Sequence, residues 1–155
     1  MGIIEKMRLD GKKGFVTGGA RGIGKSVALA LCEAGADIAI VDMDLEEAQK
    51  TAEWLQAETG RSAFAIKTDV TDQADVNLMI DQVLAAFGRI DIAFCNAGIC
   101  INVPAEEMTI EQWNKVINVN LNGVFLTAQA AGKVMLRQGS RSEEHTSELQ
   151  SRGLI

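Results

Sequence analysis

The eight-residue segment TGGARGIG, which runs from Thr17 to Gly24, constrains the fold of this chain more than any other feature. It joins a short apolar segment at 14–16 to a stretch with helical apolar spacing. Gly18 and Gly22 leave no Cβ atoms where a ligand must approach the backbone closely, and Gly24 lets a helix pack tightly on the preceding strand. The N–H groups at the start of that helix carry partial positive charge and suit phosphate oxygens. The segment therefore predicts a dinucleotide-binding turn, for which an ordinary glycine-rich turn is the alternative.

Strand and helix signals alternate along the rest of the chain, as is typical of a parallel sheet with crossover helices. Strands are predicted at 13–17, 37–41, 62–67 and 91–96, and helices at 22–34, 45–59, 72–87 and 109–137, the last bent near Asn118–Asn120. Right-handed crossovers then predict the strand order 3-2-1-4, with two helices on each face. The fold class is therefore α/β, a Rossmann-like doubly wound parallel sheet truncated after about four strands.

The apolar positions of the helices are assigned to the core. In the first helix these positions are Ile23, Val27, Ala30, Leu31 and Ala34. In the long last helix they are Trp113, Ile117, Leu121, Val124 and Ala128. Their spacing of three and four residues is that of one buried helix face.

Composition excludes several classes of protein. A chain of 155 residues with 47% apolar residues is long enough for one folded domain. The formal net charge of −6 argues against a nucleic-acid partner. No apolar run approaches the roughly 20 residues of a membrane helix, and the N-terminal segment lacks the apolar core of a signal peptide. The three cysteines, Cys32, Cys95 and Cys100, suit neither a metal site nor a disulfide framework, so a reducing cytoplasm is expected.

Asp42 ends the second strand and lies 24 residues after Gly18. This is the expected reach for an acid that accepts hydrogen bonds from the hydroxyls of the adenosine ribose. Its carboxylate would also repel a 2′-phosphate, so NAD is favoured over NADP. Arg21 acts in the opposite sense, because a basic residue in the glycine turn can attract that phosphate. The alternative is that Asp42 caps the following helix, a role that Asp44 can also fill.

Two further segments lie at carboxyl ends of strands. Asp69 and Val70 follow the third strand, where the edge of the adenine would lie, although Asp69 is equally suited to a turn before the next helix. Asn96-Ala97-Gly98 follows the fourth strand. Because strands one and four diverge at a topological switch point, this segment and the glycine turn are expected to face the same cleft.

Taken together, these segments and NVNLNG at 118–123 make the chain similar to the short-chain dehydrogenase/reductase family from about Leu9 to Gln138. The resemblance implies reversible hydride transfer between a nicotinamide cofactor and a CH–OH or C=O carbon. It also implies a cofactor-binding set, which comprises Thr17, Gly18, Arg21, Gly22, Ile23, Gly24, Asp42, Asp69, Val70, Asn96, Ala97 and Gly98. Asn120 matches the catalytic asparagine of the family, which holds the long helix open around a proton-relaying water. Its alternative is a helix residue that bonds its own backbone.

The sequence departs from that family after Gln138. It contains no tyrosine, whereas the family's reaction uses a tyrosine as general acid/base, a lysine that lowers the pKa of that tyrosine and a serine that orients the substrate. The segment from Arg141 to Ser151, RSEEHTSELQS, resembles the translation of a common sequencing adaptor. Residues 1–139 are thus expected to form an incomplete dinucleotide-binding domain, and 140–155 a non-native tail, disordered or artefactual. A polar helix capped by Ser140 and Glu143 is the alternative.

The expected function is that of an NAD(P)-dependent oxidoreductase, represented by a chain without the catalytic tyrosine and lysine and therefore inactive as written. Its substrate is a small alcohol or carbonyl compound: a sugar, a polyol or an oxoacyl compound. No metal or membrane is involved, and the intact enzyme is expected to form a homo-oligomer. The alternatives are a non-catalytic nucleotide-binding module and a methyltransferase of similar fold. The segments at 96–98 and 118–123 argue against the methyltransferase.

Overall fold

The computed structural model describes residues 2–139. The segment from Arg141 to Ser151 and the capping pair of Ser140 and Glu143 therefore lie outside the described residues. In chain order the helices and strands are α1 (Ile3–Lys6), β1 (Lys13–Thr17), α2 (Gly22–Glu33), β2 (Asp37–Asp42), α3 (Leu45–Thr59), β3 (Ala63–Lys67), α4 (Gln73–Phe87), β4 (Ile92–Cys95), a 3₁₀ turn (Ala105–Glu107), α5 (Ile110–Ile117), a π-helical segment (Asn118–Gly123) and α6 (Val124–Arg137).

The four strands form one parallel sheet in the order β3-β2-β1-β4, as the sequence predicted. β1 lies between two neighbours, and its Phe15 is in register with Ala39 of β2 and Ala93 of β4. The carboxyl ends of β1 and β4 therefore lie side by side, each followed by a loop. This adjacency creates the cleft in which the candidate site lies.

Successive residues of the strands face opposite sides of the sheet and form two separate cores. Phe15 and Val41 pack with α4 and α6, whereas Val16 and Ile40 pack with α2 and α3. Each face is covered by two helices, as predicted from right-handed crossovers. Central strands that are apolar on both faces are typical of such a doubly covered sheet.

The ends of α3 and α4 are fixed by local sequence. Asp44 caps α3 by accepting a hydrogen bond from the N–H of Glu47, and Asp72 caps α4 in the same way. Gly60 and Gly88 end these helices in the left-handed conformation that residues with a Cβ rarely adopt. The predicted boundaries of these two helices agree with the structure to within one residue.

The predicted buried face of α2 was wrong at Ile23 and Ala30, whereas Val27 and Leu31 are half-buried and pack against the core as predicted. The buried residues are Gly24, Ala28 and Cys32, whereas Ile23 is 75% exposed and Ala30 is also exposed. The reason is that Gly24 packs directly against the glycine turn, and this contact rotates the helix about its axis. Ile23 faces the cleft instead of the core.

The predicted seam of the long helix was wrong at three of its five positions, whereas Ile117 and Val124 are half-buried. Trp113 and Leu121 are 53% and 62% exposed, and Ala128 is exposed as well. The buried face is instead formed by Gly123, Thr127, Ala130, Ala131 and Val134. The π-helical segment at 118–123 adds residues to a turn and so shifts the phase of α6 relative to α5. The bend that the sequence placed near Asn118–Asn120 lies in this segment.

Two buried carboxylates stabilise the amino-terminal edge of the sheet. The Oδ2 atom of Asp37 accepts a hydrogen bond from the ammonium group of Lys13. Its Oδ1 atom accepts the N–H of Ser62 and lies 2.7 Å from the guanidinium of Arg61. Burial alone would raise the pKa of Asp37, but these hydrogen bonds and the charge of Arg61 bring that pKa below its ordinary value. Asp91 receives the backbone N–H of Lys13 at the same edge.

Among residues 2–139, no helix is long and apolar enough to cross a membrane. The same residues contain no group of three or more histidine, cysteine, aspartate or glutamate side chains able to hold a metal ion.

Candidate functional site

A cavity of about 780 Å³ opens at the carboxyl ends of β1, β2 and β4. The loops after all four strands and the junction of α5 with the π-helical segment line it. The lining residues are Gly18, Arg21, Ile23, Val41, Asp42, Met43, Asp44, Thr68, Asp69, Val70, Thr71, Asn96, Ala97, Gly98, Ile99, Lys115, Asn118 and Val119. Its size and position are those of a site for a nucleotide-sized ligand at a topological switch point.

The glycine turn after β1 has two positions, Gly18 and Gly22, whose backbone conformation favours glycine. Gly18 and Gly22 have φ angles of +62° and +52°. A Cβ atom on Gly18 would lie 3.0 Å from the Cα atom of Ala97, whereas one on Gly22 would meet no atom within 4 Å. A Cβ atom on Gly24 would collide with the carbonyl oxygen of Gly18. The turn is therefore tightly packed beneath Gly18 and open above Gly22, where a ligand can approach the backbone.

The first turn of α2 presents free donors to this opening. Arg21 occupies the N-cap position without a side-chain cap. Within residues 2–139, the N–H groups of Ile23 and Gly24 have no hydrogen-bond partner. Uncapped N–H groups at the positive end of a helix dipole are suited to phosphate oxygens. The arrangement fits the pyrophosphate of a dinucleotide.

Thr17 and Asn96 join the loops after β1 and β4. The Thr17 hydroxyl oxygen accepts the backbone N–H groups of Asn96 and Ala97 at 3.0 and 3.1 Å. The side-chain amide of Asn96 donates to the carbonyl oxygens of Thr17 and Gly18 at 3.1 and 3.2 Å. Thr17 is buried behind the cavity, so it holds the wall of the cavity without reaching its interior.

Asp42 connects the glycine turn to the loop after β2. One carboxylate oxygen accepts the N–H of Ala20 and the other the N–H of Asp44, both at 3.1 Å. The carbonyl oxygen of Ala20 accepts the hydroxyl of Thr51 in α3 at 2.7 Å, so the turn is fixed on both sides. Because each carboxylate oxygen has more than one acceptor site, Asp42 can still accept from a ligand hydroxyl in the cavity.

Asp69 forms a turn and also lines the cavity. Its Oδ1 atom accepts the N–H and the hydroxyl of Thr71 at 2.9 and 2.7 Å. Its Oδ2 atom receives no hydrogen bond from residues 2–139 and is available to a donor such as an adenine amino group. Val70 is buried and packs against Gly123, which closes this end of the cavity.

Asn120 lies behind the loop that follows β4, outside the lining of the cavity. Its Nδ2 atom donates to the carbonyl oxygen of Ile99 at 2.9 Å, and its Oδ1 atom accepts the N–H of Ile99 at 2.8 Å. The alternative role predicted for it, bonding its own helix backbone, does not occur, because the π-helical segment turns the side chain towards this loop. Asn120 therefore positions the loop at 97–99.

Arg21 reaches across the mouth of the cavity to the loop after β2. Its guanidinium donates to the carboxylate of Asp44, and its Nε atom lies 4.0 Å from the Glu47 carboxylate. Asp44 thus pairs with Arg21 in addition to capping α3. The side chains are 64% and 43% exposed, so the pair contributes little to the stability of the fold.

Most of the residues predicted for the site meet at the cavity, but four do not line it: Thr17, Gly22, Gly24 and Asn120. Sequence reasoning missed Val41, Met43, Asp44, Thr68, Thr71, Ile99, Lys115, Asn118 and Val119. Several of the missed residues flank Asp42 and Asp69 in the sequence. Lys115, Asn118 and Val119 are three and four residues apart, and this helical spacing could have identified them as one wall of the cavity.

The cysteines do not supply a nucleophile to this cavity. Burial raises the pKa of the Cys32 thiol to about 11 and also raises the pKa of Cys95. Cys100 is exposed in the loop after β4. The expectation that Cys32 and Cys95 act as small apolar residues agrees with these environments.

Comparison with known proteins gives the same result at the level of the family. The model of the short chain dehydrogenase family matches residues 12–142. The D-threitol dehydrogenase of Mycolicibacterium smegmatis is 45% identical over 133 residues, which are 85% of this chain and 50% of that protein. The sorbitol dehydrogenase of Cereibacter sphaeroides is 41% identical over 133 residues, which are 86% of this chain and 50% of that protein.

A solved structure of a protein described as a member of the same family is also similar to this chain. It is a short-chain type dehydrogenase/reductase from Mycobacterium marinum, 41% identical, with a TM-score of 0.87 over 90% of this chain and 56% of that one. The chain thus spans about half the length of the curated relatives it matches.

Proposed function

Since the chain belongs to the short-chain dehydrogenase family, we propose that it binds NAD as part of an oxidoreductase that interconverts an alcohol and a carbonyl group. The glycine turn carries this proposal. Its backbone leaves open space above Gly22, beside N–H groups that lack partners in residues 2–139. A phosphate-bearing ligand satisfies these donors, and the rest of the cavity leads from them in two directions.

Towards β3, the cavity offers groups suited to adenosine. Asp42 would accept hydrogen bonds from the ribose hydroxyls, and the free oxygen of Asp69 would accept from the adenine amino group. Val70 and Val119 supply apolar surface for the base. Three carboxylates at this end, of Asp42, Asp44 and Asp69, favour a ribose without a 2′-phosphate, which supports NAD over NADP.

Towards β4, the loop at 96–99 would border the nicotinamide end. The bound nicotinamide ring would supply the hydride acceptor or donor of the reaction. Asn96 and Thr17 hold the loop against the glycine turn, and Asn120 holds it from the other side through Ile99. These residues would orient the cofactor. This sequence contains no tyrosine, so it lacks the general acid/base that the reaction of the family uses.

For that reason we propose that the polypeptide of 155 residues binds the cofactor without turning over a substrate. A sugar or polyol is the proposed substrate class of the enzyme to which this sequence belongs, and a homo-oligomer is its proposed state. The relatives named as D-threitol and sorbitol dehydrogenases support this class. An oxoacyl substrate remains the alternative. The free thiols of Cys32, Cys95 and Cys100 support a reducing compartment such as the cytoplasm.

Isothermal titration of the full chain with NAD⁺ and with S-adenosylmethionine tests the proposal. We expect saturable binding of NAD⁺ and none of S-adenosylmethionine. Asp42→Ala should weaken binding of NAD⁺ by about tenfold, because two ribose hydroxyls lose a charged acceptor. Glu53→Ala, which removes an exposed acid away from the cavity, is the matched control. Tighter binding of S-adenosylmethionine than of NAD⁺ would overturn the proposed cofactor.

A further inference from the structure

Among residues 2–139, Arg21 is the one arginine that lines the cavity, and it is already paired with an acid on the opposite loop. Among the lining residues that the structure describes, Arg21 and Lys115 are the two cations. The guanidinium of Arg21 donates to Asp44, with Glu47 4.0 Å away. Arg21 belongs to the glycine turn and Asp44 to the loop after β2, so the pair spans the mouth of the cavity at its ribose end.

Both oxygens of the Asp44 carboxylate have defined partners. Oδ1 accepts the N–H of Glu47 and so caps α3, while Oδ2 accepts from the guanidinium of Arg21. The N–H of Asp44 donates to Asp42, so the backbone is fixed as well. Because Asp44 caps α3, its carboxylate has a fixed position. The carboxylate in that position holds the side chain of Arg21 along the loop after β2.

We propose that Asp44 is a specificity-determining residue that prevents Arg21 from binding a 2′-phosphate. The inference rests on the proposed binding of NAD. A 2′-phosphate on the ribose bound by Asp42 would need a cation, and an arginine near that hydroxyl is what accommodates it in NADP-binding sites of this fold class. Here the nearest such cation is held by Asp44, whose charge also repels the phosphate. Discrimination against NADP therefore depends on two acids, of which Asp42 contacts the ribose and Asp44 occupies the arginine.

Loss of the Arg21–Asp44 ion pair should affect NADP⁺ binding more than it affects the stability of the fold. An exposed ion pair contributes little to folding, so its removal should leave the fold intact. A charge-assisted hydrogen bond from arginine to phosphate is stronger than one between neutral groups, and it is bidentate when the guanidinium is free to turn. Releasing Arg21 from Asp44 should therefore change the affinity for NADP⁺ and leave that for NAD⁺ nearly unaltered.

The test measures the dissociation constants of NAD⁺ and NADP⁺ for the full chain by isothermal titration calorimetry. Asp44→Asn and Asp44→Ser both retain a side chain able to cap α3. For both variants we expect the dissociation constant of NADP⁺ to fall by about tenfold and that of NAD⁺ to stay within about twofold of the parent value. Glu53→Gln removes one acid from the exposed side of α3 and should change neither constant.

A second substitution distinguishes release of Arg21 from a general loss of negative charge. Arg21→Gln in the Asp44→Asn background should cancel most of the gain in NADP⁺ affinity and leave only the part that comes from the lost charge of Asp44, whereas in the parent it should change NADP⁺ affinity little. An equal gain in Glu53→Gln, or a gain that is undiminished without Arg21, would overturn the role of Asp44. A parent chain that binds no NAD⁺ would instead overturn the proposed function and with it this inference.

Discussion

The side-chain amide of Asn120 pairs with both backbone groups of Ile99, donating to the carbonyl oxygen at 2.9 Å and accepting the N–H at 2.8 Å. This pair connects the π-helical segment to the loop after β4. The resemblance to the family assigned Asn120 to the reaction itself. In this structure its side chain bonds Ile99 and so positions the loop at 97–99.

Removal of this pair should destabilise the loop. For Asn120→Ala we expect a loss of about 1 kcal/mol in the free energy of unfolding, because two hydrogen bonds are lost and water replaces them at this exposed position. Urea denaturation followed by circular dichroism measures it. Asn122→Ala is the control, since Asn122 bonds only the exposed side chain of Asn118. Equal losses in the two variants would contradict the positioning role of Asn120.

Gly24→Ala should damage both the fold and the site. Its Cβ atom would collide with the carbonyl oxygen of Gly18 and lie 2.7 Å from the amide of Asn96, so α2 must move away from the glycine turn. We expect the midpoint of unfolding to fall and NAD⁺ binding to be lost.

Gly132→Ala is the matched control for that substitution. Gly132 lies within α6, and a Cβ atom there would meet no atom within 4 Å. Because alanine is the better helix former, we expect a gain of up to about 1 kcal/mol in the free energy of unfolding. NAD⁺ binding should be unchanged. A stable Gly24→Ala variant that still binds NAD⁺ would show that the turn tolerates a side chain.

Asp37 should make the fold sensitive to acid. Its pKa is lower in the folded chain than its ordinary value, because hydrogen bonds and the charges of Lys13 and Arg61 outweigh the effect of burial. The stability that it contributes is therefore complete above the ordinary aspartate pKa of about 4 and is lost as the pH falls through the lowered value. Asp37→Asn should lose about 3 kcal/mol near neutral pH, because the two cations keep no acid partner there.

Thermal unfolding of both proteins between acidic and neutral pH measures that difference. The parent should lose stability faster than Asp37→Asn as the pH falls below about 4, because only the parent carries the titrating carboxylate. Asp81→Asn, which removes an exposed acid of α4, should follow the parent at every pH. Parallel curves for Asp37→Asn and the parent would disprove the coupling.

Exposed apolar side chains at the end of the sheet next to β4 and on the helix after Asn118 should promote self-association. Leu121 and Phe125 are 62% and 60% exposed, and Phe94 lies on β4, the outermost strand next to β1. Open sheet edges and apolar patches favour aggregation. The double variant Leu121→Lys/Phe125→Lys should lower light scattering at equal concentration without changing NAD⁺ affinity. Leu78→Lys, on the exposed side of α4, is the control and should have a smaller effect.

The strand order, the helix ends and most of the site follow from local sequence. Glycine is needed wherever φ is positive, as at Gly18 and Gly60, and a capping acid is needed where a helix begins, as at Asp44 and Asp72. The need for glycine and for a capping acid depends only on the conformation of a few neighbouring residues, so both can be predicted from the sequence without knowing the fold. The order of the strands then follows from the handedness of the connections.

The buried faces of α2 and of the long helix could not be predicted from local sequence. Apolar residues such as Ile23, Trp113 and Leu121 have the spacing of a core face, yet they are exposed in the structure. Packing of Gly24 against the turn and the phase shift at the π-helical segment decide which face is buried. Both depend on contacts between distant parts of the chain.

The sequence alone thus determined a parallel sheet with a glycine turn at the start of α2 and acids at the ends of β2 and β3, because backbone geometry and strand connections are local constraints. Only the tertiary structure decided that Asn120 holds Ile99, that Asp44 holds Arg21 and that Asp42 fixes Ala20. Each of these contacts joins residues 21 to 23 positions apart, and the sheet brings them together. A polar side chain has several possible partners, and the packing of the loops selects one of them.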